Sequence, residues 1–501
     1  MNLSRRTLVS AAAVVATTTA LALSSSQVLA QRDKDSVVLG MVLEPPGLDP
    51  TTGAAAAIGE IVHYNVLEGL TRISSSGAVS PLLATDWKSD PDGKTYTFTL
   101  KKGVTFQDGT PFDASTVKFS FDRAKVPGST NKAKAVFDNI SSVSTPDPFT
   151  VILTLNNPDA TLPFRLGENT AVILSPASAG SANTNPQGTG PFKLDSWQKG
   201  SAVTLVKWDG YREPAAIKLK KVTFRFINDN AAQVAALLAG DIDGMPRFGA
   251  VQNLAQFQGD KRFTVEQGTT AGKGMLAINN KKKPLNDVRV RRALMYAIDR
   301  KAFIDGVLEG LGKPIGSHAA PTDMGYVDLT NVYAYNPEKA KALLKEAGVA
   351  TPLNLTLTLP PPSYARKGGE VIAAMLAKVG INAKIENVEW AQWLSGPFKG
   401  NFDLTIINHV EPLDYMQYAN PAYYWGYDSK VFNEIAKKRA EAARGRMQVQ
   451  LYGDIQRQIA NDAVNAFLFN PSQVSVARRG LKGLWASSPV FANDLSQVSW
   501  A

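Results

Sequence analysis

The 501-residue chain has no cysteine, so it carries neither a disulfide framework nor a thiolate metal site, and no cysteine stands behind a leader to be lipidated. Histidine is scarce. His63, His318 and His409 are the three present, which excludes histidine-rich metal sites unless carboxylates supply the other ligands. There is no H-E-x-x-H, no G-x-S-x-G and no Walker loop. Ser115-Thr116-Val117-Lys118 and Ser196-Trp197-Gln198-Lys199 match the short S-x-x-K pattern of penicillin-recognising enzymes, but no S-D-N or K-T-G element accompanies them. Ser115 sits where the first turn of a helix is expected, so a periplasmic serine hydrolase is the weaker reading and no enzyme is expected. No repeat or low-complexity stretch divides the chain, so any lobes must be interwoven rather than strung in series.

What is present begins with an address. Arg5 and Arg6 precede a mild apolar run from Leu8 to Leu23, and Val28-Leu29-Ala30 offers a small-residue cleavage site. Ser4-Arg5-Arg6-Thr7-Leu8 follows the twin-arginine pattern, with a general secretory signal as the other route. Residues 1–30 are therefore read as an export signal, and Ser24 to Gln27 interrupts the run well short of the roughly 20 residues of a membrane span. A soluble, exported, periplasmic protein is expected. Removing Arg5 and Arg6 takes the net charge from +10 to +8. That excess is dispersed, with Lys281-Lys282-Lys283 as its densest run, so nucleic acid is not an expected partner.

The remaining length exceeds one core, and strand and helix patterns alternate along it. Val37 to Leu43 reads as a strand followed by a helix over 54–67. Two hairpins are expected around Pro91-Asp92-Gly93 and Pro146-Asp147-Pro148, with a helix between them capped by Asp113. A single helix is expected from Asp287 to Ile304, and another after Asn336, with Pro337 in its first turn and Gly348 at its end. Leu353, Leu355, Leu357 and Leu359 alternate in a strand, Val371 to Val379 line a helix, and Ile381, Ala383 and Ile385 alternate again. Short connections between these units predict βαβ crossovers and a largely parallel sheet.

Four ordered segments together carry a family likeness. They are Pro81 to Trp87 running through Gly93-Lys94-Thr95-Tyr96 to Gly109-Thr110-Pro111-Phe112-Asp113; Gly188-Thr189-Gly190-Pro191-Phe192; Pro284-Leu285-Asn286-Asp287-Val288-Arg289 through Asp299-Arg300; and Tyr335-Asn336-Pro337-Glu338. In these the chain resembles the family 5 extracellular solute-binding proteins of ABC transporters, the peptide/nickel class. The resemblance implies an α/β, bilobal type II periplasmic-binding-protein fold with an additional subdomain in the first lobe. On that pattern the first lobe covers 37–270, including an extra subdomain at 75–185, the second lobe covers 271–474, and 475–501 returns to the first. It implies a monomer without a cofactor that binds a small peptide or peptide-like solute and delivers it to the permease subunits. A metal chelate, haem, or an opine or sugar conjugate is the alternative ligand.

The same resemblance places ligand contacts in the second lobe. Tyr364-Ala365-Arg366 stands before the Val371 to Val379 helix, where dipeptide receptors of this family hold a ligand carboxylate, and a guanidinium fork suits that group. The loop after the strand Asp403 to Ile407 reads Asn408-His409-Val410-Glu411-Pro412-Leu413-Asp414, where many relatives have Gly-Trp followed by acids. Glu411 or Asp414 is the candidate for a cationic ligand group. Asn408 and His409 are the departure from the family pattern, and no metal site is assigned to His409. Trp390, Tyr424 and Trp425 are candidate cleft walls, since aromatics give large contact area with little lost rotamer freedom. Thr189 joins them because the glycines beside it allow close approach to either a packed neighbour or a ligand.

Overall fold

The computed structural model describes residues 34–53, 55–442 and 445–501; the expected leader, residues 1–30, lies outside them. The alternating leucines form the strand Leu353–Leu359, which pairs in parallel with Ile381–Asn387, every residue from Leu353↔Ile381 to Leu359↔Asn387 in register. Leu404–His409 lies on its other side, also parallel. These three strands end on one edge at Leu359, Asn387 and His409. The helices Ser363–Ala377 and Trp390–Ser395 begin beside that edge, the side of an α/β sheet where ligands are held.

The sheet continues through Lys273–Ile278 to the long strand Ala466–Arg478, and from there through Gly244–Met245, Ser36–Met41, Lys221–Phe226, Ala202–Lys207 and Phe192–Gln198. It is mixed, not largely parallel as the short connections suggested. Lys273–Ile278 is antiparallel to both its neighbours, and Ala466–Arg478 is antiparallel to all of its partners, because these segments return between halves of the molecule instead of following a helical crossover. A separate four-stranded antiparallel sheet, Ala84–Ser89, Thr95–Leu100, Thr150–Leu155 and Ile140–Asp147, packs on the helix Ala114–Lys125. Its core includes Phe98, Phe121 and Leu153.

The apolar cores divide accordingly. One draws on 275–469, a second on 37–224 with Ala477, Leu481, Leu495 and Val498, and the hairpin sheet has its own. Between the first two the chain crosses twice. Phe263–Thr269 turns at Thr270–Gly272 into Lys273–Ile278, and Ala466–Arg478 pairs with the second of these strands near one end and with the first along the other. Asn470 pins the crossing, its Nδ2 donating to the carbonyls of Thr270 and Gly272, both at 2.7 Å.

Several boundaries differ from expectation. The Asp287 to Ile304 pattern breaks into Val288–Ala297 and Arg300–Leu308, because the Asp299 carboxylate accepts the Ala302 amide and starts a new helix. The first helix spans only Ala56–Val62, and Tyr64 adopts a positive φ of 64° just after it. Tyr364 and Arg366 do not precede their helix but lie in its first turn, which Pro362 opens. Within it Gly368 and Gly369 let the helix approach Phe303 and Leu359. The strand expected at Asp403 to Ile407 runs instead to His409, so Asn408 and His409 are ladder residues, opposite Gly274 and Lys273.

Candidate functional site

A cavity of about 780 Å³ lies between the lobes, within the range of small-molecule sites. Its second-lobe wall is Asn408 and the loop Val410 to Asp414. The first lobe contributes Arg165, Glu168, Arg247 and Val490, and the crossing contributes Thr270 to Gly272 and Gln473.

The loop is held from behind by a buried polar network. Lys273, buried at the start of its strand, donates to Asp414 Oδ1 at 2.7 Å and to the Glu411 carbonyl at 2.5 Å. His318 Nε2 lies 2.8 Å from Asp414 Oδ1, and His409 Nδ1 lies 3.0 Å from Asp414 Oδ2. The protons can be placed by elimination. Asn465 Nδ2 donates to the Tyr418 hydroxyl, so Tyr418 donates its proton to His318 Nδ1, leaving His318 Nε2–H for the carboxylate. His409 likewise donates from Nδ1 to the carboxylate, and its Nε2 lies 2.9 Å from the Tyr424 hydroxyl.

Burial lowers His318 to about 4, the attraction of Asp414 only partly opposing it. For Asp414, burial alone would raise the carboxyl, but the attraction and hydrogen bonds of its partners, Lys273 among them, hold it well below the usual carboxylate range. The site is thus a carboxylate shared by one lysine and two imidazoles, all hydrogen-bonded. His318, His409 and Asp414 do bring ligand atoms within 4.8 Å of one another, as a metal site requires. Lys273 already supplies the countercharge there, and both imidazole N–H groups point to the carboxylate, so a cation would have to displace all three donors.

Glu411 and Asp414 therefore differ in kind. Glu411 is exposed and, among the described residues, its carboxylate accepts only the Val410 amide, at 3.2 Å, leaving its charge available to the cavity. On the opposite wall Arg247 binds Ser488 Oγ at 2.7 Å and Asn493 Oδ1 at 3.1 Å, with Glu60 at 3.3 Å. Arg165 pairs with Glu168 at 3.3 Å and reaches the Leu413 carbonyl at 3.4 Å.

The other expected residues are placed as follows. Arg366 lies outside this cavity, pairing with Glu389 at 2.9 Å on the strand-end edge. Tyr364 accepts the Asn408 amide on its hydroxyl at 3.2 Å, behind the cavity wall. Tyr424 and Trp425 are buried beneath His409, and Trp390 is 42% exposed beside Trp393. Thr189 is buried and donates to Glu68, which Arg212 also clamps. The glycines flanking it meet the Val66 and Asn65 carbonyls, so their close approach is to packed backbone. Sequence reasoning missed Lys273, His318, Arg165 and Arg247. The one local signal was a lysine opening the otherwise apolar run Met275 to Ile278.

The family model described as bacterial extracellular solute-binding proteins, family 5 Middle, matches residues 78–432. The chain belongs to this family. The dipeptide-binding protein of Escherichia coli (strain K12) is 33% identical over 506 residues, covering 91% of this chain and 92% of that protein. The Helicobacter pylori periplasmic binding protein DppA in complex with the peptide STSA superimposes with a TM-score of 0.72 at 26% identity, over 93% of this chain and 98% of that one. A periplasmic murein tripeptide-binding protein in its unliganded open form gives 0.83 at 22% identity, over 93% and 98%. A cavity at the junction of two lobes is a common place for a small-molecule site.

Proposed function

We propose that this chain is the periplasmic receptor of an ABC importer that encloses a small peptide or peptide-like zwitterion between its lobes and presents it to the permease. The observation that carries the reading is the cavity itself, with the free carboxylate of Glu411 on one wall and the guanidinium of Arg247 on the other. Glu411 takes the ligand's cationic group and a guanidinium takes its carboxylate. Arg366 is the second candidate for that carboxylate, because its surface pair with Glu389 is worth only about 0–1 kcal/mol and is readily exchanged.

The lobes 37–270 and 271–474, with the return at 475–501, move about the crossing strands. Closure on the ligand then supplies the state that the permease reads. Among the described residues no helix is long and apolar enough to cross a membrane.

Native mass spectrometry of the protein as purified, followed by calorimetric titration with dipeptides and tripeptides after ligand removal, tests the reading. A retained mass of peptide size and saturable binding are expected. Binding of a metal chelate or sugar conjugate with no peptide binding would overturn it.

A further inference from the structure

Beside the main cavity, and sharing Ala160, Thr161 and Leu413 with it as walls, is a second chamber of about 280 Å³. The first lobe supplies Trp87, Tyr96 and Phe164, and the second supplies Met324, Val449 and Leu413. Met324 and Val449 leave 51% and 37% of their surface exposed, so the chamber keeps apolar groups uncovered between the lobes.

Most of its polar neighbours are already engaged, the Arg439 Nε being an exception. The Tyr96 hydroxyl donates to the Asp159 carbonyl at 2.8 Å, and Thr161 Oγ1 donates to the Asp159 carboxylate at 2.6 Å. Asp323 accepts the Tyr452 hydroxyl at 2.7 Å and the Ala320 amide at 3.0 Å. Gln448 donates to the Ala442 carbonyl at 2.7 Å, and the Arg439 guanidinium lies over the rings of Tyr415 and Tyr452. An occupant would therefore gain chiefly by apolar contact with Trp87, Phe164, Met324, Leu413 and Val449.

Leu413 stands between the two chambers. It has a φ of 51°, uncommon for a residue with a branched side chain. Its carbonyl receives Arg165 from the first lobe, and it packs against both the second-lobe core and the cluster that contains Phe164.

We propose that this chamber is a second subsite that takes one bulky apolar side chain of the solute whose polar part occupies the main cavity. The preferred ligand is then a peptide-like molecule carrying an aromatic or long aliphatic group. The volume suits one such side chain, being just below that of sites holding whole small molecules. The inference rests on the main cavity being the ligand site.

The test is calorimetric titration of the purified protein with Ala-Ala, Ala-Phe, Phe-Ala and Phe-Phe, repeated on Met324→Glu and Val449→Glu, whose melting temperatures are checked alongside. Burial of a phenyl group predicts that at least one phenylalanine peptide binds about 10- to 100-fold more tightly than Ala-Ala. In both variants that advantage disappears while Ala-Ala affinity stays the same. Equal affinities in the unmodified protein, an advantage that survives both substitutions, or an equal loss for Ala-Ala would each overturn the subsite. If none of the four peptides binds, the subsite is overturned, and the peptide reading of the main cavity falls with it only if tripeptides fail to bind as well.

Discussion

Glu411 and Asp414 share one loop, yet only Glu411 has a charge that no other side chain neutralises. Asp414 accepts from Lys273, His318 and His409, with its side chain 8% exposed and that of Lys273 1%. Removing one partner of such a buried pair leaves the other uncompensated, at a cost of about 3–5 kcal/mol. Asp414→Asn is therefore expected to destabilise the protein by that order in urea unfolding. Glu411→Gln should leave the urea midpoint unchanged and weaken a cationic ligand by about tenfold in calorimetry, the worth of one charge-assisted hydrogen bond. Equal stability losses from the two substitutions would refute this division of roles. The sequence pointed to the loop because acids cluster there, but not to the division, since Lys273 lies 141 residues from Asp414 and His318 lies 96. His409 shows the same limit. As a departure from the family pattern it stood out as a possible ligand group, and only its partners reveal an imidazole bridging Asp414 and Tyr424.

At the scale of elements, local chemistry was legible wherever it acts over a few residues. Asp113 caps Ala114–Lys125, accepting the Ser115 and Thr116 amides, and the Ser115 hydroxyl also donates to it at 2.6 Å. The Ser-x-x-Lys match there is thus a helix start. Asn336 caps Pro337–Glu346, and Glu338 pairs with Lys341 at 2.8 Å. What the periodicity hid was the break at Asp299, because the apolar pattern runs on through it and only the cap hydrogen bond marks the boundary. The Gly188 to Gly190 turn left a packed neighbour and a ligand equally open, since a glycine signals close approach without saying to what. The structure puts the Val66 carbonyl oxygen against Gly188, inside contact distance of any Cβ added there. Backbone cannot swing aside as a side chain can, so Gly188→Ala should cost about 1–3 kcal/mol or more. Gly180→Ala, with no atom within 4 Å of its added Cβ, should fall within about 0.5 kcal/mol of neutral. Urea unfolding of the two variants side by side checks the contrast.

At the scale of the molecule, each half buries a histidine whose burial favours the neutral ring. His63, beside the first-lobe core, is lowered to about 3 by burial, with repulsion from Arg72 adding to it. His318, behind the second-lobe wall of the cleft, is lowered to about 4. In the unfolded chain both rings titrate near 6.5. Between that value and the folded ones the unfolded state binds protons that the folded state refuses, so stability rises with pH across this window by up to about 1.4 kcal/mol per pH unit for each ring. The stabilisation is complete above about pH 6.5 and drains away as the pH falls toward 4. Below that, Asp414 continues the trend, since the unfolded carboxyl takes up a proton near 3.9 while the folded one, held low, does not. Urea unfolding from pH 8 to pH 4 should therefore show a flat stability above 7 and a steady decline below 6.5. Above the range in which carboxylates titrate, a ligand that binds only the folded, closed protein adds a pH-independent increment. The decline should thus keep its slope in saturating ligand and shift upward as a whole. A slope that flattened with ligand bound would mean that closure changes the surroundings of His63 or His318.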